Sequence, residues 1–255
     1  MDTTPQPIII KKETIMRLIK DVKQMKGHPL SGDNIYYYHD EENMMRGYAL
    51  IIGTIDTPYF GGYYLFTLNY PEDYPHSPPN VTYLTNGDNI RFNPNLYING
   101  KVCISLLNTW RGEQWTSCQT INSVLLTLAT LLCNDPLINE PGIRKGHHDC
   151  ENYSRIIEYK NIDIAILNIL DDNISQYQSQ FNSIQHIIQL FRPIIVEHFS
   201  TNRMKILSCL ENKKLNTIPR IIKTMVYDLN VFLDYNKLYD KFTQISDKIL
   251  LNNNK

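Results

Sequence analysis

The sequence predicts an α+β fold that is followed by a helical extension. Three observations favour this class: helical spacing of apolar residues near the start, strand-like segments between residues 34 and 85, and helical spacing through the second half. We expect a flexible tail over residues 1–10, a folded core over residues 11–148, and a helical C-terminal extension over residues 149–255.

The first predicted element is an amphipathic helix over residues 11–26. Its apolar positions recur every three or four residues, and "GHP" follows as a stop signal. The apolar positions are Ile15, Leu18, Ile19, Val22 and Met25. The opposite face carries Lys11, Lys12, Arg17 and Lys20, and these cations could form a docking patch or simply a solvated surface.

Four strands are predicted next. Aromatic and β-branched residues dominate "NIYYYHD", "MMRGYALIIGTI", "GGYYLFTLNY" and "NVTYLT", and short turn sequences separate these segments. Strands joined by short turns predict an antiparallel meander. The apolar face of the first helix is expected to pack on one side of this sheet.

A long irregular segment follows Thr85, and compact domains leave a stretch of roughly thirty residues without regular structure mainly for functional reasons. "CQTINSVLLTLATLLCNDP" then predicts a buried central helix that ends before Pro136. From about Gly146 the spacing predicts helices to the end of the chain, with breaks or helix starts at Pro193 and Pro219. The terminal "NNNK" is expected to be disordered.

Composition limits the function. The formal net charge of −1 gives no general attraction to nucleic acid or to anionic membranes, and no apolar run is long enough to cross a bilayer. The five cysteines are an odd number without CxxC pairs, and the first residues lack a signal-peptide pattern. We therefore expect a reduced, intracellular protein of the cytoplasm or nucleus, in a host cell if the chain is viral.

Cys103 lies in the long irregular segment, just after a predicted tight turn. Asn99-Gly100 is a strong turn dipeptide, and Val102 and Ile104 flank the cysteine as apolar anchors. Such anchors would hold the thiol at a defined place. The alternative is that Cys103 is a small buried hydrophobic residue.

Several motifs in this region carry a family resemblance. "DTPYFGGYYLFTLNYPEDYPHSPPNVTYLT" is similar to a turn, double-glycine, strand and Pro-Pro arrangement, and "NPN…NGKVCIS" is similar to an active-site signature with Asn95 eight residues before Cys103. With these motifs, residues from about 14 to 142 resemble the ubiquitin-conjugating enzymes. "EQW" and "NEPG" resemble the large members that carry extra sequence.

The resemblance implies a ubiquitin-conjugating fold and a reaction. Cys103 would accept ubiquitin or a ubiquitin-like protein from an activating enzyme as a thioester, and would pass it to a substrate lysine or to a ligase. Asn95 would donate a hydrogen bond to the oxyanion or rigidify the loop. Asp135 would orient the lysine and favour its deprotonation, or would merely form a turn before Pro136. No cofactor is expected, because the activating enzyme consumes the ATP.

The family pattern also implies contacts with an activating enzyme or ligase at Lys11, Arg17, His76, Thr116 and Ser117. Three positions depart from that pattern. Asn93 replaces the usual histidine, His76 replaces an aromatic or apolar residue, and "WTSC" replaces a Ser-Pro-Ala loop. Asn93 questions the local geometry of the loop more than the reaction, whereas the other two departures question binding to ordinary RING-type ligases.

Two other readings compete with an active enzyme. A ubiquitin-binding or scaffold variant of the fold would typically lack the cysteine, and a papain-like hydrolase would need a histidine beside it and a helix beginning at it. "GHHDC" at residues 146–150 has no second ligand pair, so no metal is expected. The enzymatic reading requires a thiol that is not sealed in the interior and that lies near both Asn95 and Asp135.

Overall fold

The computed structural model describes residues 10–171 and 181–253. Apart from residue 10, the predicted flexible tail lies outside the described residues, as do the last two residues of the chain. Residues 252–253, which the sequence predicted to be disordered, are the end of the last helix.

The predicted first helix is present as α1, Lys12–Gly27. Leu18 and Met25 are buried, so the apolar stripe packs against the rest of the molecule. The predicted meander is also present, as β1 Ile35–His39, β2 Arg46–Ile52, β3 Tyr63–Asn69 and β4 Asn80–Tyr83. Every neighbouring pair is antiparallel, in the order β1-β2-β3-β4.

The buried central helix is α2, Ile121–Leu131. A reciprocal capping box begins it: the Thr120 hydroxyl accepts the Ser123 N–H, and the Ser123 hydroxyl accepts the Thr120 N–H, both at 3.3 Å. Its apolar stripe is buried, as the spacing predicted. A short 3-10 helix, Pro136–Asn139, follows after a tight connection.

The C-terminal part is mainly helical. It contains α3 Asp149–Lys160, which continues as the π-helical segment Asn161–Asn168, and then α4 Phe181–Asn216, β5 Arg220–Lys223, β6 Asn230–Leu233 and α5 Tyr235–Asn253. The prediction of a helical extension is therefore confirmed. The prediction that helices continue without strands to the end is wrong, because β5 and β6 form an antiparallel hairpin.

Apolar residues on both faces of the hairpin explain this error. Ile222 pairs with Val231 and both are buried, whereas Ile221 pairs with Phe232 and both are about half exposed, at 55% and 52%. A strand with apolar side chains on both faces lacks the alternation that identifies a half-buried strand.

Pro193 does not break or start a helix, contrary to the prediction, because it lies inside α4. An interior proline costs a helix about 3 kcal/mol. Ile188 before the proline and Ile195 after it are both fully buried. Packing on both sides of the proline offsets the lost hydrogen bond, so the helix continues through it.

Helix α4 covers the outer face of the sheet. The Tyr63 hydroxyl donates a hydrogen bond to the Ile195 carbonyl at 3.1 Å, and the Tyr48 ring lies edge-on against His186. The next residue on β3, Tyr64, points to the opposite side, where its hydroxyl donates to the side-chain oxygen of Asn161 at 2.6 Å. The sheet is therefore an inner layer with both faces covered.

Among the helices in the described parts of the chain, none combines the length and the apolar character that are needed to cross a bilayer.

Candidate active site

A tight turn presents Cys103. Gly100 has a φ of 86°, and its N–H donates to the Tyr97 carbonyl at 2.9 Å, as expected for the turn at Asn99-Gly100. Val102 and Ile104 are buried on either side of the cysteine. The apolar anchors predicted from the sequence therefore fix the backbone around the thiol.

The Cys103 thiol is covered by a surface loop. The residue is only 4% exposed, and its Sγ donates a hydrogen bond to the Thr109 carbonyl at 3.0 Å. Thr109 lies in a loop over residues 108–114, and all of these residues are exposed. The cover over the thiol in this conformation is therefore a loop at the surface, and Cys103 is not part of the hydrophobic core cluster.

Thr109 holds this loop in place. Its hydroxyl accepts the Ile104 N–H at 2.9 Å and donates to the Val102 carbonyl at 3.0 Å. Sequence reasoning assigned no role to Thr109. The only signal was its place in the "LLNTW" element that follows Cys103.

The structure places Asn95 beside Cys103. The Asn95 carbonyl accepts the Cys103 N–H at 2.9 Å, and the Asn95 side-chain amide donates to the Cys103 carbonyl at 2.6 Å. The spacing of eight residues thus closes into a bridge of two hydrogen bonds. In this conformation the amide rigidifies the loop, and its role toward an oxyanion stays a prediction.

Asn93, which replaces the family's histidine, is fully buried and still supports the loop. Its amide nitrogen donates to the Leu131 carbonyl at 2.7 Å, and its side-chain oxygen accepts the Asn95 N–H at 2.9 Å. Asn93 therefore connects the end of α2 to the segment that carries Asn95.

Asp135 occupies the position before the 3-10 helix Pro136–Asn139, makes no side-chain hydrogen bond to the helix end, and is partly exposed. Burial raises the pKa of the nearby Cys133 thiol, and the charge of Asp135 acts in the same direction. The segment reaches the cysteine loop through Asn139, whose amide donates to Asn93 at 3.5 Å. Asp135 therefore lies in a segment that is linked through Asn139 and Asn93 to the cysteine loop, and its catalytic role stays a prediction.

Arg17 is engaged within the chain. Its guanidinium donates to the carbonyls of Ser117, at 2.6 Å, and Gln119, and it pairs with the buried Asp21 at 2.9 Å. Reading Arg17 as part of a solvated cationic face is therefore incorrect. A contact with an activating enzyme would use only the 17% of its side chain that is exposed.

The other predicted contact residues lie at the surface. Lys11 is exposed immediately before α1, and Thr116 and Ser117 are exposed after Trp115. His76 lies 3.4 Å from the Ser117 hydroxyl and 3.4 Å from Glu13 of α1. The structure thus brings the 76 loop, the 116–117 loop and the start of α1 together on one surface.

His147, His148 and Asp149 have potential ligand atoms within 4.8 Å of one another. One Asp149 oxygen already accepts the N–H groups of Met225 and Val226, both at 2.9 Å. This carboxylate therefore anchors the β5–β6 hairpin. The absence of a metal stays a prediction.

Comparison with known proteins agrees with this geometry. The family model described as ubiquitin-conjugating enzyme matches residues 17–161, which is more than half of the chain. Ubiquitin-conjugating enzyme E2 Z of Danio rerio is 39% identical over 167 residues, covering 64% of this chain and 50% of that protein. Human dual E2 ubiquitin-conjugating enzyme/E3 ubiquitin-protein ligase BIRC6 is 34% identical over 190 residues, covering 71% of this chain and 4% of that protein.

A probable ubiquitin-conjugating enzyme E2 of Acanthamoeba polyphaga mimivirus is 27% identical over 258 residues, covering 95% of this chain and 16% of that protein. The chain thus spans half or less of the length of these relatives. The family match includes Asn95 and Cys103 and extends through α3. The chain belongs to the ubiquitin-conjugating enzyme family.

Proposed function

We propose that the chain accepts ubiquitin or a ubiquitin-like protein as a thioester on Cys103 and transfers it to a lysine or to a ligase cysteine. The observation that carries this proposal is the two-bond bridge between Asn95 and Cys103, which holds the Asn95 amide on the backbone of the cysteine residue. Both residues lie within the segment that matches the family model.

Loading requires a change at Thr109. The thiolate is the nucleophile in thioester exchange, and in this conformation the Cys103 Sγ is engaged by the Thr109 carbonyl at 3.0 Å. The loop over residues 108–114 must therefore release the sulfur before the modifier's C-terminal tail can reach it. The incoming thioester is already activated, so exchange between sulfurs needs little further base assistance.

Transfer to an amine makes greater demands. The lysine nitrogen attacks the thioester carbonyl, a tetrahedral oxyanion forms, and the Cys103 sulfur leaves. The Asn95 amide, released from the Cys103 carbonyl, would donate to that oxyanion. Asp135 would accept the lysine proton or orient the amine.

A non-catalytic scaffold is the second candidate. The observation that favours it is the 4% exposure of Cys103, which leaves the sulfur covered. The retention of Cys103, Asn95 and Asp135 favours the enzyme.

The proposed partners follow from this reaction. They are ubiquitin or a ubiquitin-like protein, an activating enzyme, substrate lysines and, for ligase-dependent transfer, a ubiquitin ligase. Such partners are found inside cells, so we propose that the protein acts in the cytoplasm or nucleus. The chain is proposed to use no cofactor of its own.

A loading assay tests the proposal. The protein is mixed with activating enzyme, ATP and ubiquitin, and a reductant-sensitive adduct is expected. Cys103→Ala should abolish the adduct and Cys103→Lys should give a reductant-resistant one, while Cys118→Ala, at an exposed cysteine, should leave loading unchanged. If no adduct forms with any of several ubiquitin-like proteins, the scaffold function replaces the enzymatic one.

A further inference from the structure

The turn of the β5–β6 hairpin is held in an unusual conformation. Tyr227 has a φ of 65° and a ψ of 8°, a left-handed conformation that is uncommon for a bulky side chain. The buried Asp149 carboxylate fixes the turn by accepting the N–H groups of Met225 and Val226, both at 2.9 Å. Hydrogen bonds to a charged acceptor are strong, so helix α3 holds this turn firmly.

The fixed turn places Tyr227 against Arg91. The Arg91 guanidinium carbon lies 4.4 Å from the centre of the Tyr227 ring and 3.8 Å from that of Tyr97. The Tyr227 hydroxyl donates to the Glu140 carboxylate. Burial, reinforced by this hydrogen bond, raises the pKa of Tyr227, so the hydroxyl stays a donor at neutral pH.

Arg91 in turn holds the loop that carries Asn95. Its guanidinium donates to the carbonyl of Pro94, the residue directly before Asn95. Its own carbonyl accepts the Tyr153 hydroxyl of α3 at 2.5 Å. Arg91 is thus attached to the extension through Tyr227 and Tyr153, and to the cysteine loop through Pro94.

The side chain of Arg91 is not arranged for hydrogen bonding alone. Its Nε is buried without a hydrogen-bond partner, which costs stability in a typical interior. The two aromatic rings, and not a full set of acceptors, determine where the guanidinium lies. The guanidinium is therefore placed by Tyr97 and Tyr227 together with its hydrogen bond to the Pro94 carbonyl.

We propose that Tyr227 is a positioning residue for the transfer reaction: through Arg91 and Pro94, the C-terminal hairpin sets the place of the Asn95 amide relative to Cys103. This inference rests on the proposed function. A donor to an oxyanion must be held to within about 0.5 Å of its productive position. The C-terminal extension therefore contributes to the site from more than a hundred residues away in the sequence.

Single-turnover discharge of the Cys103 thioester onto free lysine tests this inference. Tyr227→Ala should lower the maximal discharge rate about tenfold, because a displaced catalytic group loses rate steeply with distance. Loading by activating enzyme and the half-saturating lysine concentration should stay unchanged. Tyr227→Phe keeps the ring on Arg91 and should stay within about threefold of the unmodified chain.

Met225→Ala is the matched control. Met225 lies in the same turn, its side chain is 80% exposed, and the substitution keeps the N–H that Asp149 binds. Its discharge rate should equal that of the unmodified chain. In an Asn95→Ala background Tyr227→Ala should cause no further loss, since both changes act on one amide.

Two kinetic results would overturn the inference. One is equal slowing of loading and discharge by Tyr227→Ala, and the other is the same tenfold loss of discharge rate in the Asn95→Ala background. Amide hydrogen exchange separates this from failure of the proposed function, because it needs no activity. Exchange at Asn95 and Cys103 should become faster in Tyr227→Ala and stay unchanged in Met225→Ala. Unchanged exchange in both variants would show that the hairpin does not hold the loop.

Discussion

Thr109 accepts the thiol hydrogen of Cys103 through its backbone carbonyl, at 3.0 Å, in a loop that is otherwise exposed. The sulfur is therefore covered by a few loop residues, and hydrogen bonds keep this loop in its closed conformation. Its accessibility depends on how often those bonds open.

The order of thiol modification follows from this arrangement. Cys118 and Cys209 are exposed, whereas Cys103 is covered, so a bulky maleimide should label the first two well before Cys103. Peptide mass spectrometry over a time course measures the order. Thr109→Val removes the hydroxyl that accepts the Ile104 N–H and should speed labelling of Cys103. Labelling of Cys103 first in the unmodified chain would contradict a closed loop.

Replacement by aspartate should lower stability and discharge at one asparagine of this loop and leave both unchanged at another. Asn95 uses its amide N–H, donated to the Cys103 carbonyl at 2.6 Å, whereas Asn99 uses its side-chain oxygen, which accepts the Lys101 N–H at 3.1 Å. Asn95→Asp should lower the free energy of unfolding by about 1–3 kcal/mol and slow discharge. Asn99→Asp keeps its acceptor and should change neither. Urea unfolding and single-turnover discharge measure both effects.

Asp135→Ala should leave loading on Cys103 intact and slow discharge onto lysine about a hundredfold, within the usual range for a lost general base. Asp135→Asn keeps the size of the side chain without its charge and should slow discharge as well. The slowing should lessen as pH rises, because the lysine then loses its proton without help. A variant that fails to load while remaining folded would contradict the assigned role.

The Arg17–Asp21 pair should contribute far more to the free energy of unfolding than an ion pair at the surface. The Asp21 side chain is 2% exposed, and it also accepts the Tyr74 hydroxyl. Asp21→Ala leaves the Arg17 charge without its partner and should cost about 3–5 kcal/mol. Glu151→Ala removes an exposed partner of Arg155 at the same helical spacing and should cost no more than about 0.5 kcal/mol. Similar costs for both would contradict the structural role of Arg17.

Asp163 should contribute to the loss of folding stability at acidic pH. Burial alone would raise its pKa, but Lys241 at 2.5 Å and Lys160 at 3.1 Å outweigh this effect, so the pKa is lowered. The contribution of Asp163 to stability is therefore complete above its unfolded pKa of about 3.9, and is lost as pH falls through the lower folded value. Asp163→Asn should flatten the loss of stability below about pH 5.

The control for this prediction is Asp247→Asn, which removes an exposed carboxylate from α5. Its urea unfolding curves between acidic and neutral pH should match those of the unmodified chain. An unchanged acid slope in Asp163→Asn would contradict the assignment.

Local sequence patterns predicted the elements that depend on local spacing. The helix α1, the meander and α2 follow from apolar periodicity, and the placement of Asn95 near Cys103 follows from the family resemblance of the motif that contains both. The sequence could not reveal that Arg17 binds carbonyls a hundred residues away, or that Tyr227 lies on Arg91. These contacts depend on how distant elements pack, and no local pattern encodes that packing.

The position of α4 across the sheet has a consequence for how the molecule melts. Tyr63 on β3 is fully buried beneath α4, so removing the extension would expose apolar side chains along the centre of the sheet. Calorimetry of the full chain should therefore show one cooperative transition and not two. A chain that ends before α4 should be prone to aggregation, because the exposed sheet face would be a contiguous apolar patch.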